Sequence, residues 1–137
     1  HKEERAAYKK QWHEEHKEER AARVKERRKN DPIYRLTKNI RHRFYMWLNG
    51  FKKDKRTFEY INCSKKELIE HIQSLWYDNP ETGEPMTWEN YGKWHIDHDK
   101  PLFLFDPTNE EDMHKAWAKE NLRPLWAKDN LKKGKKY

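Results

Sequence analysis

The residues best suited to chemistry lie between His95 and Asn130: His95-Ile96-Asp97-His98, then Asn121-Leu122-Arg123, then Asp129-Asn130. Asp and Asn offer oxygen to a hard divalent ion, and a neutral imidazole with its ordinary pKa of about 6.5 can accept a proton from water at neutral pH. Such groups could set a metal ion and a general base against a phosphodiester. Hydrolysis there needs an in-line water, relief of charge at phosphorus and stabilisation of the leaving oxygen. One divalent cation can supply the last two and a base the first. An Asp-His pair alone is common. The pair followed by an Asn on an apolar run, then a second Asn nine residues later in a Lys-rich segment, is much less so.

These residues need rigid elements to hold them. The alternation of Lys93 to His98 predicts a strand ending at the chemistry, Leu122 to Trp126 a second strand, and Ala127 onward a helix carrying Asn130 and a lysine cluster. Ser64 with Glu67 forms a capping box, and Leu68, Ile69, Ile72, Leu75 and Trp76 supply the apolar face of the helix that follows. His71 on that helix has no second ligand at helical spacing and reads as a surface or satisfied polar residue rather than a metal ligand. Pro101 to Phe105 is an apolar loop expected to bury, and Thr108 with Glu111 is expected to cap a helix running to about Lys119. Residues 51 to 63 read as a polar connection with a short strand at Thr57 to Asn62.

Upstream, Asn30-Asp31-Pro32 breaks one helix and starts another, since Asp caps and Pro is tolerated at the first helical position. Ile33, Leu36, Ile40, Phe44, Trp47 and Leu48 recur at steps of three and four up to Asn49-Gly50. On that helix Arg35, Lys38 and His42 lie opposite the apolar stripe, with Arg41 and Arg43 flanking it. His1-Lys2-Glu3-Glu4-Arg5-Ala6-Ala7 recurs unchanged as His16 to Ala22 in a segment without Gly or Pro. Residues 1 to 29 therefore read as one exposed helix, about 43 Å long.

Composition bounds the partners. Residues 1 to 50 hold 15 Lys/Arg against 8 Asp/Glu, so the net charge of +7 belongs to this half, and residues 51 to 137 are neutral. Between Arg20 and Arg43 there are 10 Lys/Arg against Glu26 and Asp31, the footprint of a polyanion-binding surface. The bland reading is a solvated helix face. Only 34% of the chain is hydrophobic, yet seven Trp, seven Tyr and five Phe can anchor a small core. The single Cys63 excludes an intrachain disulfide and any zinc site built on two thiolates, so no structural zinc is expected, and the thiol reads as a small buried apolar group. No apolar run is long enough to span a bilayer, and the chain reads as soluble and intracellular. Residue 1 is His, which leads us to expect a longer parent protein.

Residues 93 to 137 resemble the HNH nuclease family, whose ββα-metal motif sets two strands and a helix around one divalent cation. The likeness rests on His95-Ile96-Asp97-His98 with Pro101-Leu102, on Asn121-Leu122-Arg123-Pro124-Leu125-Trp126, and on Asp129-Asn130-Leu131-Lys132-Lys133-Gly134-Lys135. Cys63-Ser64, Leu68, His71-Ile72 and Met86 to Gly92 extend it to phage and bacterial members, so that it spans roughly residues 32 to 137. It implies an α+β, mainly helical fold: a ββα-metal core with an N-terminal helical extension. The expected regions are a charged arm at 1 to 31, a DNA-binding and core-packing region at 32 to 92, and the catalytic motif at 93 to 137.

The resemblance further implies that Asp97 and Asn130 hold Mg²⁺ or Mn²⁺, that His98 is the general base, and that Asn121 braces the loop around His98. Asn130 stands where the family name has His, which favours Mg²⁺. Relatives usually carry an apolar residue where this chain has Asp99, expected here to face solvent. His95 shares a face with Asp97 and is a candidate support for the metal ligands, although an ordinary surface histidine is the commoner case. Arg35, Lys38, Arg41, Arg43, Lys132, Lys133 and Lys135 are the expected DNA contacts, with Lys136 beside them. The implied activity is metal-dependent nicking or cleavage of double-stranded DNA to 5′-phosphate and 3′-hydroxyl ends, in the cytoplasm of a bacterial or phage-infected cell. A double-strand break would call for a homodimer, two successive cuts or a larger nucleoprotein complex. The rival reading is a catalytically silent DNA-binding or partner-binding module.

Overall fold

The computed structural model describes residues 1–134 and is α+β and mainly helical, with one two-stranded antiparallel sheet. Lys135, Lys136 and their expected DNA contacts lie outside the described residues. The chain divides into two units, 1–36 and 37 onward.

In the first unit the expected single helix is two, α1 (Lys2–Glu15) and α2 (Lys17–Asn30). The break falls at His16, whose ring stacks on Trp12 at 4.1 Å and whose Nδ1 lies 2.7 Å from the Trp12 carbonyl. Each copy of the repeat thus opens one helix, at His1 and at His16. Neither helix buries a residue, as so few apolar side chains require. Helix α3 (Pro32–Leu48) starts as expected, the Asp31 carboxylate accepting from the Tyr34 N–H at 3.1 Å. The unit boundary falls within it.

In the second unit, the α3 residues Ile40, Phe44 and Leu48 enter a core that includes Tyr60, Ile61, Leu68, Ile72, Trp94, Trp117, Leu122 and Trp126. Phe44 packs against Tyr60 at 5.2 Å and Trp117 at 4.8 Å between ring centres, so aromatic contacts carry this small interior. The strand expected at 57–62 is instead helix α4 (Thr57–Ile61). Its β-branched and aromatic residues look strand-like, but the Glu59 carboxylate accepts from the Arg56 N–H at 2.8 Å and closes a helical turn. Helix α5 (Lys65–Ser74) follows its capping box, with Glu67 N donating to Ser64 Oγ at 3.1 Å and Leu68 and Ile72 buried.

Strand β1 (Trp94–His98) pairs with β2 (Leu122–Trp126) in a register that sets Asp97 opposite Arg123 and His98 opposite Leu122. The apolar segment between them does not bury as expected. A 3₁₀ turn at Leu102–Leu104 leaves Phe103 61% exposed, and Phe105 is the side chain that reaches the core. The next helix, α6 (Glu110–Trp117), is capped by Asn109 rather than Thr108: Asn109 Oδ1 accepts from Asp112 N at 3.0 Å, while Thr108 is tied to Asp106. Helix α7 (Ala127–Lys133) leaves β2 without a gap. No helix among the described residues is long and apolar enough to cross a membrane.

Candidate active site

Asp97 and His98 are both buried, although neighbours on a strand point to opposite faces. The difference gives each its own surroundings. His98 turns to the core, its ring edge-on to Trp117 at 4.4 Å between centres. Arg43 from α3 donates from Nη1 to the Ile96 carbonyl at 2.6 Å, and its Nη2 lies 3.3 Å from His98 Nδ1. A guanidinium only donates, so Nδ1 accepts and the imidazole hydrogen sits on Nε2, which is buried without a hydrogen-bond partner. Burial first, then the charges of Arg43 and Lys133, push the imidazole down to about 3. The ordinary value expected from sequence therefore does not hold: this histidine is neutral at pH 7 and weakly basic. Burial also lowers the Arg43 pKa, opposed by the charges of Asp97 and Tyr91.

Asp97 faces cations. Its Oδ2 accepts from Arg123 Nε at 3.2 Å and from Lys133 Nζ at 2.6 Å, and Arg123 also pairs with Asp99 at 3.2 Å. The Lys133 ammonium reaches two more oxygens, the carbonyls of His98 at 2.5 Å and Asp99 at 3.3 Å. The Asp99 side chain is exposed, as expected. Two residues expected to meet DNA, Arg43 and Lys133, are thus turned onto the site. The wheel set Arg43 at the edge of the apolar stripe, and its length carries the charge inward.

Asn121 is the most fully bonded of the group. Its Oδ1 accepts from Lys100 N at 2.7 Å and its Nδ2 donates to the carbonyls of Lys100 at 3.1 Å and Ala116 at 2.9 Å, which fixes the backbone just after His98. Asn130 is half-buried on α7 and lines a cleft of about 280 Å³ together with Asn39, His42, Arg43, Tyr91 and His95. His95 is otherwise an exposed strand residue. Among the described residues the cleft wall has no carboxylate and one guanidinium, a lining that suits an anion. Of the other expected contacts, Arg41 is exposed with its guanidinium 5.7 Å from the Phe58 ring, Lys132 is exposed, and Lys38 and Arg35 are half-buried.

Two positioning residues escaped sequence reading. The Tyr77 hydroxyl donates to Asp129 at 2.7 Å and the Tyr77 carbonyl accepts from Trp126 Nε1 at 3.0 Å, so this tyrosine ties β2 to the start of α7. Burial and the Asp129 bond raise its pKa to about 12. Arg123, paired across the sheet with Asp97, could have been suspected from strand alternation once the register was known. His71 is satisfied, donating to the Leu122 carbonyl at 2.9 Å. Cys63 is half-buried instead of buried, with its thiol pKa raised first by desolvation.

A group of three or more His, Cys, Asp or Glu side chains able to hold a metal is absent among the described residues. The oxygens around Lys133 nevertheless form a cation site: a buried carboxylate and two carbonyls converge on one positive charge. These donors are hard oxygens that fit Mg²⁺ or Mn²⁺ better than a soft ion, while Asn130, the other expected ligand, lines the neighbouring cleft, whose lining does not include Asp97.

No family model matches this chain, and no solved structure matches it. Two proteins of Acanthamoeba polyphaga mimivirus are similar to it. Uncharacterized protein L246 is 34% identical over 100 residues, covering 72% of this chain and 41% of the relative. Uncharacterized protein L426 is 32% identical over 102 residues, covering 74% and 42%. The chain spans about two fifths of the length of these curated relatives.

Proposed function

We propose that this chain carries an HNH-type ββα-metal nuclease core that hydrolyses phosphodiester bonds of double-stranded DNA with Mg²⁺. The observation that carries the reading is the convergence of the Asp97 carboxylate with the His98 and Asp99 carbonyls on one cation, beside a buried neutral imidazole and a cleft free of carboxylates. The HNH-like residues at 95–98, 121–126 and 129–134 agree with it, and β1, β2 and α7 occur in the motif's order.

Asp97 and Asn130 would hold the metal, which when bound would relieve charge at phosphorus and on the leaving oxygen. Arg43 and the cleft polar groups would hold the scissile phosphate. His98 would accept the proton of the attacking water on Nδ1 once the Arg43 guanidinium, which donates to that nitrogen here, turns to the phosphate. Its low proton affinity suits the substrate-free state, and a phosphate beside Arg43 adds negative charge that raises that affinity. Asn121 acts on geometry, keeping the backbone after His98 in place. The basic arm and α3 would supply charge that draws DNA in.

Incubating the chain with supercoiled plasmid, with Mg²⁺ and separately with chelator, tests this. Metal-dependent nicking is expected, and His98→Ala should lower the rate by about 10²- to 10⁴-fold while leaving DNA affinity nearly unchanged. Absence of nicking with every divalent metal tried would instead favour the silent binding module, a reading supported by the weakly basic imidazole and by Lys133 already neutralising Asp97.

A further inference from the structure

The sequence places Lys133 among lysines expected to meet phosphate, but its ammonium is engaged elsewhere. An ammonium has three hydrogens, and here three oxygens receive them: Asp97 Oδ2, the His98 carbonyl and the Asp99 carbonyl. The side chains of Lys133 and Asp97 are each 12% exposed, so this is not a surface pair free to exchange with water. Lys133 is the last residue of α7, and Gly134 ends the helix at φ 52°, a backbone region that favours glycine. The lysine is therefore anchored at its backbone by helix and turn while its charge is held by β1.

We propose that Lys133 is a resident counter-cation of the Asp97 site, exchanged for a divalent ion when metal binds. The inference rests on the metal-dependent reading above and adds a competitor to it. A divalent ion and an ammonium cannot both sit against Asp97 Oδ2 and the same two carbonyls. Without metal, Lys133 neutralises a buried carboxylate that also pairs with Arg123. With metal, the ammonium is expelled, and a four-carbon stem lets it move without displacing α7. Lys133 stands three residues after Asn130, one helical turn on the same side of α7, so the expelled charge emerges next to the cleft wall that Asn130 lines. Metal binding thus sets free a cation for phosphate, coupling the two ligands.

Equilibrium Mn²⁺ binding by the full chain, read by electron paramagnetic resonance without DNA, tests the exchange. If Lys133 occupies the site in about nine of ten metal-free molecules, Lys133→Met should bind Mn²⁺ about tenfold more tightly than the parent chain. In the unsubstituted chain, acylation of the Lys133 amine, followed by mass spectrometry, should be slow in chelator and rise severalfold with Mg²⁺. This second measurement decides the matter if the variant fails to fold. Equal or weaker Mn²⁺ affinity in a folded Lys133→Met, or Lys133 reactivity indifferent to Mg²⁺, overturns the exchange. Plasmid nicking by the unsubstituted chain separates the two failures: nicking with no exchange leaves the nuclease reading standing, whereas neither Mn²⁺ binding nor nicking removes both.

Discussion

Helix α2 carries seven Lys and Arg residues and buries none of its side chains, whereas β1 puts four of its five side chains out of water. The first depends on local bonds and solvated charge, such as the Arg27 guanidinium 4.2 Å from the Tyr34 ring. The second depends on contacts between residues far apart in sequence, such as Arg43 with Ile96 and Lys133 with Asp97. Charge can be changed in the one without disturbing the packing of the other. Substitutions should therefore separate stability from attraction.

The largest stability effect is expected in the core behind β1. Trp117 is fully buried, touching Phe44 and His98, and Trp117→Ala should cost about 3–5 kcal/mol in chemical denaturation. A cost under about 1 kcal/mol would remove the contrast with α2.

Acid should act on the same region. The folded His98 pKa of about 3 lies below its ordinary 6.5, so the unfolded chain binds the extra proton first. Stability from this group is complete above about pH 6.5 and falls progressively as pH drops toward 3, by an amount on the order of a few kcal/mol. In chelator, the loss of stability between pH 6.5 and 4 should be visibly smaller in His98→Asn than in the parent chain. Identical slopes would show that this imidazole is not buried in its neutral form.

Asn121→Ala removes three hydrogen bonds to backbone and should cost about 1–3 kcal/mol. It should also reduce nicking beyond what the lower stability explains, because the segment after His98 loses its fastening. Nicking at the parent rate in the folded variant would make the brace merely structural.

Replacing Arg23, Arg27 and Arg28 together by Gln should change stability by less than about 0.5 kcal/mol. DNA affinity should nonetheless fall, and the slope of log affinity against log salt should become shallower by up to about 0.9 for each phosphate no longer neutralised. An unchanged slope would show that α2 is only a solvated helix.

How far sequence carried the fold depended on the range of the interactions. The capping box at Ser64 and Glu67, the alternation of β1 and the run of β2 are local patterns, and each element stands where they placed it. The segment at Thr57–Ile61 has residue types that favour a strand, yet the Arg56 N–H bond to the Glu59 carboxylate and the backbone bonds from Glu59 to Arg56 and from Asn62 to Phe58 hold it as a helix. The arm reads as continuous because its helix propensity runs unbroken through His16, where the structure breaks it. In the candidate site, Asp97, His98, Asn121 and Asn130 stand out in the sequence by type and spacing. Arg43 and Lys133 did not, since long flexible side chains reach Ile96 and Asp97 across 53 and 36 residues of chain. Nothing in their local pattern distinguishes an inward charge from a solvated one.

The repeat that opens α1 and α2 has a further consequence. Each copy brings its own helix start and buries none of its helix's side chains, so gaining or losing one alters the helical length by about 22 Å per fifteen residues. The arm is in this sense a ruler with interchangeable divisions. Duplication can lengthen it in whole steps while selection holds the fold around Asp97 fixed.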